Sequence, residues 1–142
     1  MLLVRDGVTL APDAVSVLVD DALDSDAGVV GPKILDRDRP GYLADVGGTV
    51  DRLGVLTPTA TLGELDQMQH DGERDTFVAT AGAMLVRADT FAEIGGFDPL
   101  LDGDHVDLCW RAQMSGRRVR VVPGAVGRQP MGRAAPSAAL PS

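Results

Sequence analysis

The apolar and polar positions fall into short alternating blocks, and each block predicts one element. Leu2-Leu3-Val4 is a brief apolar run that reads as a buried strand. Ala11-Pro12-Asp13 opens a helix: Pro12 suits the first helical position, where its missing N–H is no loss, and Asp13 suits the positive end of the dipole. Val15, Leu18, Val19 and Ala22 follow at helical spacing and predict one buried face, ended by Asp24-Ser25-Asp26. Val29-Val30 and Ile34-Leu35 flank Gly31-Pro32, which predicts a strand broken or bent by the proline. Thr49-Val50 and Val55-Leu56 around Asp51-Arg52-Leu53-Gly54 predict a hairpin inside residues 36–76, which otherwise read as a long loop. Phe77 to Val86 predicts a strand. Its small residues Ala79, Ala81, Gly82 and Ala83 permit close approach of another backbone or a ligand.

Asp89 is placed to cap a short helix that buries Phe91 and Ile94 and stops at Gly95-Gly96. A second helix runs from about His105 to Ser115 and stops at Gly116. Val119, Val121 and Val122 interleave with Arg118 and Arg120 in a final strand closed by Pro123. From Gly124 the composition turns to Gly, Ala, Pro, Ser and Arg. The expected division is therefore a folded domain over 1–123 and a disordered tail over 124–142. The order of elements predicts an α/β domain with a mixed sheet.

Composition narrows the class. The chain has 142 residues, one domain's worth, and no apolar run approaches the roughly 18 residues of a membrane span. Cys109 is the only cysteine, which excludes an internal disulfide and a cysteine metal cluster and fits a cytoplasmic location. One Trp, one Tyr and three Phe give no platform for stacking bases. The net charge of −8 is unevenly spread. Residues 1–107 hold all 21 acids and seven bases, while 108–142 hold six arginines and no acid. The acidic body argues against nucleic acid as a partner. The basic end could meet phosphate or anionic lipid, placing the protein at the inner membrane face, or could meet only the acidic body itself.

Candidate chemistry concentrates in Gly95-Gly96-Phe97-Asp98-Pro99 and Asp104-His105-Val106-Asp107-Leu108-Cys109-Trp110-Arg111. Three carboxylates and a histidine near the start of a helix suggest a cation, a proton transfer or a polar ligand. His105, with an unperturbed pKa of about 6.5, suits a general base, and Asp104 or Asp107 could orient it. It also reads as a helix-start residue satisfied by neighbouring acids. Asp98 reads as a turn residue or as a ligand for an acceptor hydroxyl. Asp107 reads as a dipole-offsetting acid. Arg111 is a snorkelling group or the partner of Asp107 or Asp104, with i,i+4 spacing favouring pairing to Asp107. Trp110 and Cys109 read as core, and His70 as solvated.

Together these segments resemble the C-terminal half of a family 2 glycosyltransferase with a GT-A fold, of actinobacterial type. The likeness rests on Ala11-Pro12-Asp13-Ala14-Val15, Gly31-Pro32-Lys33, Glu64-Leu65-Asp66-Gln67-Met68-Gln69-His70-Asp71, Thr80-Ala81-Gly82-Ala83-Met84-Leu85-Val86-Arg87, Gly95-Gly96-Phe97-Asp98-Pro99 and Val106-Asp107-Leu108-Cys109-Trp110-Arg111-Ala112. It implies an incomplete GT-A-like domain that transfers a sugar from a nucleotide-sugar donor to a glycan or lipid-linked acceptor in cell-envelope synthesis. It implies a catalytic set of His105, Asp104 and Asp107, and substrate contacts at Asp98, Gly82, Ala83 and Arg111. It also implies a divalent cation, Mg²⁺ or Mn²⁺, at Asp6.

Three departures qualify the likeness. The donor-binding elements would precede Met1. Arg5-Asp6-Gly7 carries one acid where the family has two, and Val126-Gly127-Arg128-Gln129-Pro130 lacks the family's metal-binding histidine. His105 stands where the family has its catalytic aspartate. The alternative expectation is therefore a truncated or degenerate homologue without catalysis, acting as a binding module. It could also oligomerise by pairing an open sheet edge with a second copy.

Overall fold

The computed structural model describes residues 1–53, 55–60, 63–72, 74–95 and 105–130. The elements run β1 (Leu2–Val4), β2 (Thr9–Leu10), α1 (Ala14–Ser25), β3 (Val29–Asp36), β4 (Leu43–Asp45), β5 (Gly48–Val50), β6 (Leu56–Pro58), β7 (Arg74–Asp75), β8 (Ala83–Val86), α2 (Ala88–Glu93), α3 (His105–Met114) and β9 (Val119–Gln129). The main sheet has the order β1-β8-β3-β9-β2, with β4 also on β3 and β7 also on β9. β3 and β9 run parallel, and their neighbours pair antiparallel, so the sheet is mixed as expected. The predicted hairpin is present as β5–β6, with Val50 opposite Leu56.

The centre of the sheet departs most from the sequence reading. Pro32 does not break β3, which runs unbroken for eight residues. The strain is taken up in the partner strand: Pro32 pairs with Val122, and the next residue, Lys33, pairs with Val126. Residues 123–125 bulge out beside the proline that cannot donate to the ladder. For the same reason Pro123 does not close the last strand. β9 continues to Gln129, with Ala125 buried, so residues 124–129 are central strand and not tail. Residues 131–142 lie outside the described residues. The strand expected over Phe77–Val86 is regular only from Ala83. β1 is an edge strand that is only partly buried, with Val4 well exposed.

Strand alternation splits the core in two. Val29 faces a cluster with Val86, Leu108, Cys109, Ala112 and Val119, beneath α2 and α3. Its neighbour Val30 faces Ala14, Leu18, Ala22, Val122 and Ala125, beneath α1. The buried stripe of α1 is thus Ala14–Leu18–Ala22, while Val15 and Val19 are exposed. Small residues at both ends of that stripe let the helix sit close to the sheet. The helix starts two residues later than read, at Ala14 with Asp13 as its N-cap, and ends in left-handed Asp26. α2 buries Thr90 fully and Phe91 and Ile94 in part; its N-cap is Arg87, and Asp89 sits in the first turn with Oδ1 accepting from the Thr90 N–H. Cys109 is core, as read. Trp110 is not: it is 43% exposed and meets Phe77 edge-on, with ring centroids 5.6 Å apart.

Candidate functional site

A cleft opens where the end of β1, the Ala79–Gly82 segment, the end of β4 and the start of α3 converge. Local bonds fix each wall. The Arg5 N–H donates to Gly82 O at 2.9 Å, and buried Thr80 donates its hydroxyl to Ala83 O at 3.0 Å. Asp45 ties two walls together, accepting from the Gly47 N–H at Oδ1 and from the Ala81 N–H at Oδ2, both at 2.9 Å. Gly47 has φ +84°, and a Cβ there would lie 2.7 Å from Val78 O. Only glycine permits this turn and this approach.

Two cavities share His105 and Ala81. The larger, about 340 Å³, is lined by Leu2, Leu3, Val4, Arg5 and Met84 besides. The smaller, about 180 Å³, lies against Asp45, Gly47, Leu56, Pro58 and Val78. Burial pushes the Asp45 carboxyl above the ordinary carboxylate range. The N–H bonds from Ala81 and Gly47, and the charges of His105 and Arg5, pull the other way without overcoming it. A perturbed carboxyl in a cleft beside a histidine is a functional candidate. Asp45 was hidden in the sequence inside a stretch that reads as loop. Its one local signal is Asp45-Val46-Gly47-Gly48, an acid before a glycine turn.

The residues expected from sequence are distributed unevenly. His105 begins α3 and stands between the cavities. Asp107 lies two residues on, so the helix turns it away from His105. Its Oδ2 instead accepts from Arg111 Nε at 2.8 Å, the predicted i,i+4 pair. Arg111 also donates through Nη1 to Ile94 O at 2.6 Å, fastening α3 to the end of α2. Neither residue lines the two cavities. Gly82 and Ala83 serve packing: a Cβ on Gly82 would meet Gln129 Oε1 at 2.7 Å, and Ala83 pairs with Val4. Ala81, beside them, is the residue that faces the cleft. Asp98 and Asp104 lie outside the described residues.

Asp6 projects from the turn after β1, where Gly7 takes φ +86°, and is exposed. Among the described residues no three His, Cys, Asp or Glu side chains gather as a metal-holding group. His70 is not a solvated side chain either: its Nε2 lies 2.7 Å from Glu64 Oε2, in a loop fastened to β3 through Lys33. Among the described residues no helix is long and apolar enough to cross a membrane.

No protein-family model matches the chain, and no curated protein matches it in sequence. Solved structures do. One is the crystal structure of GalNAc-T7 with UDP, GalNAc and Mn²⁺, matched with a TM-score of 0.64 at 15% identity. The match covers 90% of this chain and 27% of that one. At this identity the likeness shows the fold: an α/β, incomplete GT-A-like domain with a mixed sheet.

Proposed function

We propose that this chain takes part in glycosyl transfer, moving a sugar from a nucleotide-sugar donor to a glycan or lipid-linked acceptor. The reading places it with the family 2 glycosyltransferases and in cell-envelope synthesis. One observation carries it: a GT-A-like fold brings His105, Asp45 and Arg5 to a single cleft with two adjoining cavities. In this reading His105 takes the proton of the attacking acceptor hydroxyl. Arg5 offers a cation to the departing diphosphate, and Ala81 bounds the sugar. By the family resemblance alone, Asp98 and Asp104, outside the described residues, are assigned to the acceptor.

Isothermal titration with UDP- and GDP-sugars, with and without Mn²⁺, tests this. Binding that weakens in His105→Ala and Arg5→Gln supports it; no binding at millimolar ligand overturns it. A second reading, a homologue that binds glycan without catalysis, is favoured by Arg5-Asp6-Gly7, which carries one acid where the family it resembles has two. It predicts glycan binding with no nucleotide-sugar binding.

A further inference from the structure

The two cavities differ in chemistry as well as size. Besides His105, which both share, the larger has Arg5 as its charged wall residue and no acid among the described residues that line it. The smaller has Asp45 at one side and apolar Leu56, Pro58 and Val78 at the others. A carboxylate repels an anion and accepts hydrogen bonds from hydroxyls, while apolar walls suit the C–H face of a ring. At about 180 Å³ the smaller cavity has roughly half the volume of the larger, about 340 Å³, and so suits the smaller part of a two-part ligand.

We propose that Asp45 is the acidic partner of His105, and that the small cavity they share is the subsite for the neutral, hydroxyl-bearing ring of the ligand, with the anionic part held beside Arg5. The ligand half rests on the glycosyl-transfer reading; the Asp45–His105 half does not. Asp45 comes from β4 and His105 from α3, and the Ala81 and Gly47 N–H bonds hold the carboxylate to the cleft wall. The charged groups bearing on the Asp45 carboxylate are His105 and Arg5. On α3, Asp107 is turned to Arg111, and Asp104 precedes the helix outside the described residues. Asp45 is a positioning residue for His105: its charge favours the imidazolium, and Arg5 opposes it.

The test follows the His105 ring by NMR against pH in the full chain, with His70, the only other histidine, as internal control. Asp45→Asn is expected to lower the His105 midpoint by about one unit, and Arg5→Gln to raise it, with His70 unmoved. An unmoved His105 in a folded Asp45→Asn variant overturns the pairing. Should that variant fail to fold, Arg5→Gln decides: a His105 midpoint that stays or falls overturns it. In a second arm, methyl glucoside is expected to shift the amides of Ala44–Gly48 and Val78–Ala81, and inorganic pyrophosphate those of Val4–Gly7. The reverse assignment, or no response to either probe, overturns the subsite. A chain that binds no nucleotide-sugar would lose the transfer reading and leave the His105 result standing.

Discussion

Arg120 grips Asp21 through two parallel hydrogen bonds, Nε to Oδ2 at 2.9 Å and Nη2 to Oδ1 at 3.1 Å, tying β9 to α1. Both side chains are nearly buried, at 12% and 9% exposed. Arg118, Arg117 and Arg111 likewise meet Asp75, Glu93 and Asp107. Of the destinations open to the C-terminal arginines, these four have taken the acidic body. Truncating either member of the Arg120–Asp21 pair removes the two-bond fork, although Arg120 also donates through Nη1 to Asp75 Oδ1 at 3.3 Å. Asp21→Ala should cost about 1.5–3 kcal/mol in urea unfolding, and the double variant should cost less than the sum of the singles. Strict additivity would show the pair to be idle.

The loop over Glu64–Asp71 should be fastened only within a pH window. Lys33 is 6% exposed and donates to Asp66 at 3.0 Å and Asp71 at 2.9 Å. Burial alone would raise Asp66, but the bonds from Lys33 and the Met68 N–H, with the charges of Lys33 and His70, hold it below the ordinary range. A lowered carboxyl contributes stability above its unfolded pKa and loses it as pH falls through the folded one. Burial lowers Lys33, yet its two carboxylate partners leave it raised. Its contribution is whole below the unfolded lysine pKa and lost as pH rises through the folded one. Amide protection factors of residues 64–71, taken against the intrinsic exchange rate at each pH, should therefore be high between about pH 4 and pH 10 and fall on both sides. Lys33→Met should abolish that window.

Gly47→Ala should damage the cleft wall directly. The new Cβ faces both a left-handed φ of +84° and Val78 O at 2.7 Å. A loss of about 2 kcal/mol or more is expected, with weakened protection of the Ala81 amide that Asp45 holds. A melting temperature equal to the parent's would refute the packing argument.

On α3 the smaller side chain should matter more. Leu108 is fully buried, so Leu108→Ala should cost about 2–5 kcal/mol. Trp110→Ala gives up mainly the edge-on contact with Phe77, worth about 0.5–1.5 kcal/mol. Urea midpoints in the opposite order would show that the exposure of Trp110 does not reflect its packing.

The candidate site was legible in half. His105 stood out because an acid-flanked histidine at a helix start is a local pattern. Asp45 did not, because what makes it notable is Ala81, 36 residues away, and the burial the two create together. Asp107 and Arg111 were paired correctly from i,i+4 spacing. That pairing also explains why Asp107 is not beside His105: one helix cannot turn both residues the same way.

The sequence by itself determined the α/β class, the mixed sheet, the helices ended by Asp26 and Gly116, and the β5–β6 hairpin. Those rest on periodicity and turn chemistry, which act over a few residues. Only the tertiary structure decided that Pro32 and Pro123 lie in continuous strands, because a bulge in β9 absorbs the missing donors. It also decided that α1 buries Ala14, Leu18 and Ala22 while Val15 and Val19 stay exposed, and that Asp45 meets the cleft. Strand register and side-chain burial depend on partners far away in sequence, and no local pattern carries that information.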